Sequence, residues 1–243
     1  MIALLTDFGE SEYVGVMKAV ILSIDSEAHI VDLTHSIPPQ SIREAAWVLL
    51  KSYKYFPKQS VFVCVVDPGV GTTRDAVIVE TPEYVFIGPD NGLLYPAVKE
   101  ASSYNVHSIK TDPTASRTFH GRDIFAVAAA YYHNGTSIRD LGNPISDLAV
   151  SLTFHLHNRT GEVVRIDHFG NVVTNLLPVK KKRLKISTNN FTREIDFCIT
   201  YSESPDTGIF AITGSGGTIE LSAKNKRAID YIPVSIGDRI TLG

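Results

Sequence analysis

The sequence has few cysteines, no long apolar run and no excess of positive charge. Only two of its 243 residues are cysteine. Cys64 and Cys198 both lie in apolar runs, which predicts two buried free thiols instead of a disulfide framework. No apolar run approaches the ~20 residues of a membrane-spanning helix. The net charge of −3 provides no positive field that would collect nucleic acid or anionic membrane, so we expect neither as a partner.

The start of the chain also lacks the features of a secretory signal. Met1-Ile-Ala-Leu-Leu5 runs directly into Thr6-Asp7, with no basic region, no long apolar region and no cleavage site. This pattern predicts a first β-strand in a cytoplasmic protein. One basic run, Lys180-Lys-Lys-Arg-Leu-Lys185, would suit a nucleic-acid or membrane surface. In a net-acidic chain, however, so short a run is more typical of a solvated loop or an edge strand.

What is present indicates a globular α/β protein. The composition is 44% hydrophobic and 20% charged, as in folded domains. Over residues 1–150, short apolar strands alternate with segments of helical periodicity. This alternation predicts an N-terminal three-layer α/β/α domain with a largely parallel sheet, and Ser41 and Glu44 are placed to cap its second helix. The predicted strands cover residues 2–5, 29–33, 61–66, 76–80, 84–87 and 104–109, and the predicted helices cover 13–24, 41–52, 93–99 and 123–132.

The pattern changes after about residue 150, where helical periodicity disappears. Residues 142–161 are expected to connect two domains. Short segments rich in β-forming residues then follow, separated by Gly, Asn, Ser and Pro, and they predict a small sandwich or barrel over residues 160–243. The predicted strands cover residues 163–167, 172–176, 184–187, 194–198, 210–213, 218–221 and 238–242.

Two predicted strands end in an aspartate on a glycine-bearing loop, where ligands of open α/β sheets bind. The first is Asp7 in Thr6-Asp-Phe-Gly9, which could hold a neutral diol or a cation, or could simply cap the following helix. The second is Asp67 in Asp67-Pro-Gly-Val-Gly-Thr-Thr-Arg74, where Arg74 can fold back onto the carboxylate. That pair could be catalytic or a structural ion pair. Neither loop matches the glycine patterns that cradle phosphate.

A third segment, Arg117-Thr-Phe-His-Gly-Arg-Asp123, stands directly before a predicted helix. It places the imidazole of His120 at a helix entrance, where exposed amides attract polar ligands. The remaining conspicuous histidines are expected to be structural, and no His or Cys set has convincing metal-ligand spacing. The histidines expected to be structural are His29, His35, His107, His133, His155 and His157.

Taken together, these segments resemble the S-adenosylmethionine hydroxide adenosyltransferase family, relatives of the fluorinase and chlorinase enzymes. The resemblance covers nearly the whole chain, and seven motifs occur in order at compatible spacing. They are Thr6-Asp-Phe-Gly9, Asp32-Leu-Thr-His-Ser-Ile37, Asp67-Pro-Gly-Val-Gly-Thr-Thr-Arg74, Gly88-Pro-Asp-Asn-Gly-Leu-Leu94, Thr118-Phe-His-Gly-Arg-Asp123, Asp167-His-Phe-Gly-Asn171, and Ile219-Glu220 after Ser215.

The resemblance implies a fold and a set of roles. It implies an N-terminal α/β domain, a C-terminal β-barrel, and a homotrimer with active sites between neighbouring subunits. It implies that Asp7 holds the ribose hydroxyls, that Phe119 helps to form the pocket around sugar and adenine, and that Asn171 reads the adenine. The backbone near Ala223 and Asn225 would also read the adenine. The methionine end would be held by Asp167 and Ser215, with Glu220 in the same C-terminal segment.

The implied activity is hydrolysis of S-adenosyl-L-methionine to adenosine and L-methionine without a cofactor or metal. Asp67, Arg74 and His120 fall on the positions of the family's hydrolytic triad. The halogenases carry a tyrosine where Asp67 stands, and a carboxylate would repel a halide ion, so we reject a halogenase. The alternative from another class is a non-catalytic sensor that binds adenosine or S-adenosylmethionine. The sequence leaves open whether the attacking water loses its proton to Asp67 or through His120. It also leaves open whether Asp67 mainly orients a hydroxide-like water held between Arg74 and His120.

Overall fold

The chain folds into two units, residues 1–152 and 153–243, in a computed structural model that describes residues 1–243. The first unit contains a seven-stranded sheet in the order β2-β1-β3-β5-β4-β6-β7. Strands β2, β1, β3 and β5 run parallel, and the other half of the sheet is antiparallel. The strands are β1 (Ile2–Thr6), β2 (Ile30–Thr34), β3 (Val61–Val65), β4 (Ala76–Glu80), β5 (Val85–Pro89), β6 (Asn105–Ile109) and β7 (Gly142–Ile145).

Helices cover both faces of this sheet, which confirms the predicted three-layer arrangement. Alternate residues of β3 point to opposite faces, as the pleat requires. Phe62 and Cys64 pack with one set of helices, and Val61 and Val63 pack with the other. The helices are α1 (Glu12–Ile24), α2 (Ile42–Ser52), α3 (Tyr95–Val98), α4 (Val127–His133) and α5 (Ile138–Leu141), together with a 3₁₀ turn (Tyr53–Tyr55) and a π-helical segment (Gly121–Ala126) that continues into α4.

The structure corrects several local predictions. Residues 142–145, expected to belong to the connection, form β7 because their backbone pairs with the free edge of β6. Ser41 precedes α2, but its side chain makes no capping hydrogen bond. The predicted helix 93–99 is reduced to α3, and the predicted helix 123–132 begins as the π-helical segment.

The second unit is a closed barrel in the order β10-β11-β12-β13-β9-β8-β14. In β10, Leu184 and Ile186 are buried in the barrel core while Arg183 and Lys185 face outward. The end of the basic run is therefore the outer face of a strand paired on both sides, not an edge strand. The strands are β8 (Thr160–Ile166), β9 (Val172–Thr174), β10 (Arg183–Ser187), β11 (Thr192–Cys198), β12 (Phe210–Thr213), β13 (Ile219–Ser222) and β14 (Arg239–Leu242).

The two cysteines are free thiols, and the helices of the fold are short. Cys64 and Cys198 are both free and buried, as predicted. Burial in apolar surroundings raises the pKa of both thiols, because it penalises the charged thiolate. The longest helix, α1, has 13 residues, and none of the helices could span a bilayer.

Two glycines in the first unit should respond to alanine in opposite ways. A Cβ at Gly88 of β5 would overlap the backbone carbonyl of Cys64 on β3, so Gly88→Ala should destabilise the unit by about 1–3 kcal/mol. Gly15 is exposed within α1 and has open space around it, so Gly15→Ala should stabilise by about 0.5–1 kcal/mol. Urea unfolding followed by fluorescence of Trp47, the single tryptophan, reports on this unit. Equal midpoints for the two variants would contradict the packing argument.

Candidate active site

The first two candidate carboxylates emerge at one edge of the sheet. In the register of β1 against β3, Thr6 lies beside Val65. Asp7 follows Thr6 directly, and Asp67 comes two residues after Val65. Both aspartates therefore leave the carboxyl ends of adjacent parallel strands, which is the ligand-binding edge of open α/β sheets.

Asp67 and Arg74 form the ion pair that their spacing allowed. Arg74 Nε donates to Asp67 Oδ1 at 3.0 Å, and Arg74 Nη2 donates to Asp67 Oδ2. The side chains of Asp67 and Arg74 are only 5% and 12% exposed. Water therefore screens the electrostatic attraction of this bidentate ion pair only weakly. Each carboxylate oxygen still has a second lone pair that can accept a hydrogen bond from a ligand.

The guanidinium of Arg74 is held on several sides. Its Nη1 donates to the backbone carbonyl of Asp75 at 3.3 Å, and its Cζ lies 5.4 Å from the ring centroid of Phe125. Its Nη2 also lies 2.7 Å from Nδ1 of His120. The guanidinium therefore links a loop after β3 to the segment that precedes α4.

The contact with Arg74 decides which nitrogen of His120 carries a proton. A guanidinium can only donate, so Nδ1 must accept, and the neutral ring then carries its hydrogen on Nε2. Desolvation and the positive charge of Arg74 lower the pKa of His120 from its ordinary value of 6.5, while the carboxylates of Asp67 and Asp123 act in the opposite direction. His120 is consequently a neutral ring that offers one N–H donor.

A close backbone approach brings together the loop after β3 and the segment before α4. Gly71 has φ +78°, and a Cβ there would overlap the backbone carbonyl of Arg117. Only glycine combines this left-handed conformation with so short a separation. The loop that carries Asp67 and Arg74 therefore rests against the segment that carries His120.

Asp7 is held by the backbone instead of by a helix. Its Oδ2 accepts a hydrogen bond from the backbone N–H of Gln40 at 2.8 Å. The helix-capping alternative is wrong, because Ser11 occupies the N-cap of α1. Gln40 has φ +66°, a conformation that costs a non-glycine residue about 1–3 kcal/mol, and such strain is typical of functional sites.

Asp7, Gln40, Asp67 and His120 line a single cleft of about 660 Å³ in the first unit, and Arg74 lies behind its lining. Its aromatic wall joins Phe119 to Phe8 and Tyr13, with edge-to-face ring contacts at 6.0 Å and 5.0 Å. No role was predicted from the sequence for Phe8, Tyr13 or Gln40, and the 46% exposure of Tyr13 became visible only in the fold. The cleft is lined by Asp7, Phe8, Tyr13, Pro39, Gln40, Val65, Asp67, Pro68, Val70, Ser116, Thr118, Phe119, His120, Gly121 and Arg122.

A second cleft, of about 480 Å³, lies in the barrel unit and contains three of the candidate adenine-binding residues, Asn171, Ala223 and Asn225. The side chain of Asn171 donates from Nδ2 to Asp167 Oδ2 at 2.9 Å, which leaves its amide oxygen as an acceptor. The sequence analysis assigned no role to the other residues of this cleft. They are Phe169, Tyr201, Lys226 and Arg227.

The candidate methionine-binding residues are not among those that line this cleft. Asp167 accepts two hydrogen bonds from Asn171, through the backbone N–H and the side chain. Ser215 is exposed in the turn between β12 and β13. Glu220 is half-buried over Gly214, and burial together with the negative charge of Asp167 raises the pKa of Glu220, while Arg165 opposes this effect.

The fold and the cleft define a class: proteins that place a polar site at the strand ends of an α/β unit and carry a separate β-barrel. Comparison with known proteins narrows that class. The chain belongs to the S-adenosylmethionine (SAM) hydroxide adenosyltransferase family. The model of the family's N-terminal domain matches residues 2–142, and the model of its C-terminal domain matches residues 161–241.

Individual relatives agree with this assignment. The chain is 33% identical to the (R)-S-adenosyl-L-methionine hydrolase of Salinispora arenicola, over 100% of this chain and 98% of that protein. It is 37% identical to the (R)-S-adenosyl-L-methionine hydrolase of Methanocaldococcus jannaschii, over 100% of this chain and 95% of that protein. The crystal structure of an uncharacterized conserved protein from Thermotoga maritima is similar over the full length of both chains, with a TM-score of 0.92 and 32% identity.

The environment of His120 predicts its titration. His120 should titrate below pH 6.5 in the folded protein, and Arg74→Gln should raise its pKa, because Asp67 and Asp123 then act without the opposing charge. The unfolded chain takes up this proton first as the pH falls. The contribution of neutral His120 to the free energy of unfolding is therefore present above pH 6.5 and lost below it.

Histidine NMR titration measures this pKa, and the resonance that disappears in His120→Gln identifies the residue. Arg183→Gln, which removes an arginine on the barrel surface, is the control and should leave the value unchanged. A pKa of His120 that falls in Arg74→Gln would contradict the arrangement described here.

Proposed function

We propose that this protein hydrolyses S-adenosyl-L-methionine to adenosine and L-methionine by attack of water on the ribose C5′. The observation that carries the proposal is that Arg74 hydrogen-bonds to both Asp67 and His120, and that Asp67 and His120 line the same cleft as Asp7. Further support comes from the relatives named as hydrolases of this substrate, which match the whole chain at 33% and 37% identity.

The chemistry of the substrate explains why so few catalytic groups suffice. The sulfur is a sulfonium, so when the C5′–S bond breaks its electron pair returns to sulfur and methionine leaves as a neutral thioether. No general acid is needed on the leaving side. No electrons are exchanged with a second reactant, and we therefore propose that the reaction uses neither a cofactor nor a metal.

The difficulty lies with the nucleophile, because bulk water has a pKa of about 15.7. In our proposal Asp67 accepts a hydrogen bond from the attacking water, and His120 Nε2–H donates to the oxygen of that water. As the new O–C5′ bond forms, the water loses its proton to Asp67, since Nδ1 of His120 is occupied by Arg74. Such general base catalysis contributes about 10²–10⁴-fold, and positioning of the water supplies much of the remainder.

Two sets of residues would hold the substrate. Asp7 Oδ1 would accept from the ribose hydroxyls, and Phe119 would form an apolar wall beside the sugar, a role supported by the presence of both residues in the cleft. Asn171, Ala223 and Asn225 would contact the adenine, whose flat ring suits the aromatic side chains in the same cleft. Asp167, Ser215 and Glu220 are proposed for the methionine end on the strength of the family resemblance.

Water is a better nucleophile than halide at this place. A halide ion would lie beside the carboxylate of Asp67 and be repelled by it, whereas water can donate a hydrogen bond to that carboxylate. The same negative charge attracts the cationic substrate. The product should accordingly be adenosine and not a halogenated nucleoside.

We further propose a cytoplasmic homotrimer with active sites between neighbouring subunits. Support comes from the family resemblance and from large apolar side chains exposed on the barrel unit. These include Ile199 at 80%, Phe169 at 73% and Leu177 at 63% exposed. Light scattering of the purified protein should give three times the mass of one chain.

Incubation with S-adenosyl-L-methionine in ¹⁸O-labelled water, with chloride present, tests the proposed reaction. We expect label in the 5′-hydroxyl of adenosine, none in methionine, and no chlorinated nucleoside. Mass spectrometry of the products measures all three. Substrate that stays intact over hours while it binds tightly would support the alternative, a non-catalytic sensor.

Replacement of the proposed base should separate chemistry from binding. Asp67→Ala should reduce turnover by about 10²-fold or more because the attacking water loses its proton acceptor. Adenosine binding should remain measurable, since Asp7 and Asn171 are unchanged. Methionine release and titration calorimetry with adenosine give the two quantities. Turnover at the wild-type rate would remove Asp67 from the mechanism.

A further inference from the structure

We propose that His35 is a positioning residue that holds the loop of Asp7 in the conformation that recognises the ribose hydroxyls. This inference rests on the proposed function, because it takes Asp7 as the ribose ligand. His35 is one of the histidines that the sequence analysis expected to be structural. It follows β2 directly, outside the residues that line the cleft.

His35 connects the ends of two neighbouring strands through its side chain. Its Nδ1 lies 2.9 Å from the hydroxyl of Thr6, the last residue of β1. Its Nε2 lies 3.0 Å from Asp32 Oδ1, an ion-pair distance without the alignment of a hydrogen bond. Asp32 is in turn bound by Lys18 of α1, whose Nζ donates to Oδ2 at 2.6 Å. The imidazole is thus held between a carboxylate and a fully buried hydroxyl.

The donor and acceptor roles in this chain are determined by Asp32. A carboxylate beside Nε2 favours the tautomer with its hydrogen on that nitrogen, and in this tautomer Nδ1 accepts from the hydroxyl of Thr6. The oxygen of Thr6 then accepts from the backbone N–H of Phe8 at 3.2 Å. His35 therefore orients a hydroxyl that holds the residue on the far side of Asp7.

The backbone of His35 adds a second connection to the same loop. Its carbonyl accepts from the N–H of Gly9 at 2.8 Å. Thr6, Phe8 and Gly9 are thus all tied to His35, directly or through one hydroxyl, and Asp7 lies among them. Five residues after His35, the N–H of Gln40 holds Asp7 Oδ2, so the segment after β2 contacts the loop of Asp7 at both ends.

A positioning role predicts a change in ligand discrimination that a purely structural role would not. The wild-type protein should bind adenosine at least about tenfold more tightly than 2′-deoxyadenosine, the ratio expected for a hydrogen bond to a charged group. His35→Ala should reduce this ratio by about threefold or more, because a loose loop no longer holds Oδ1 toward the hydroxyls. Its affinity for free adenine, which has no ribose, should stay unchanged.

Conservative variants test which contact matters. In His35→Asn the amide oxygen can replace Nδ1 as the acceptor for Thr6, so the ratio should be largely restored. His35→Gln reaches toward Asp32 instead and should not restore it. His29→Ala is the matched control, because His29 is exposed directly before β2, at the opposite end of the same strand, and it should behave as wild type.

Titration calorimetry with adenosine, 2′-deoxyadenosine and adenine gives the three affinities for each variant. A wild-type ratio near one would remove Asp7 from ribose recognition, which is a failure of the proposed function. A clear wild-type ratio that His35→Ala leaves intact would overturn the positioning role alone. If His35→Ala does not fold, as judged by circular dichroism, the isosteric Thr6→Val decides: loss of discrimination supports the inference, and retention in Thr6→Val overturns it.

Discussion

The contact between Asp67 and Arg74 is the interaction on which the functional edge of the first unit depends. Both side chains are nearly inaccessible to water, so neither charge could remain there without the other. The guanidinium that neutralises Asp67 also contacts His120 and thereby settles the tautomer of that ring. One arginine therefore pairs with a nearly buried carboxylate and makes Nε2 of an imidazole the donor, and the proposed attack of water uses both groups.

The sheet fixes the positions of Asp7 and Asp67 more firmly than flexible loops alone could. Strands β1 and β3 are parallel neighbours whose side chains are buried on both faces of the sheet, which sets their register. Asp7 and Asp67, which follow these strands, therefore lie at the same edge of the sheet. Gly71 allows the loop after β3 to approach the segment of His120, and Gln40 donates its N–H to Asp7 from a strained backbone conformation. Rigid strands hold the loops in place, and the loops carry the chemistry.

The barrel unit contributes a different kind of surface. Its cleft combines an amide held by Asp167 with aromatic side chains, a combination that suits a flat heteroaromatic ring with polar edges. Pairing with Asp167 directs the amide of Asn171, so its free oxygen is presented in one orientation. Asp167 accepts a hydrogen bond from the backbone N–H of Asn171, so Asp167 helps to hold the turn between these two residues. This structural role is separate from the proposed role of Asp167 in ligand binding.

The sequence by itself determined the elements whose signal is local. The β-branched run of β3 indicated a strand buried on both faces, the loss of helical periodicity after residue 150 indicated the all-β unit, and the seven-residue spacing allowed Arg74 to reach Asp67. Only the tertiary structure decided the contacts between distant residues, because no local pattern encodes them. His120 and Arg74, which meet at Nδ1, are 46 residues apart in the sequence. Gln40 and Asp7 are 33 residues apart, and His35 and Thr6 are 29 apart. These contacts place the proton of His120 on Nε2, fix Asp7 Oδ2 by a hydrogen bond, and underlie the role proposed for His35. Each of them forms because the strands lie side by side in the sheet.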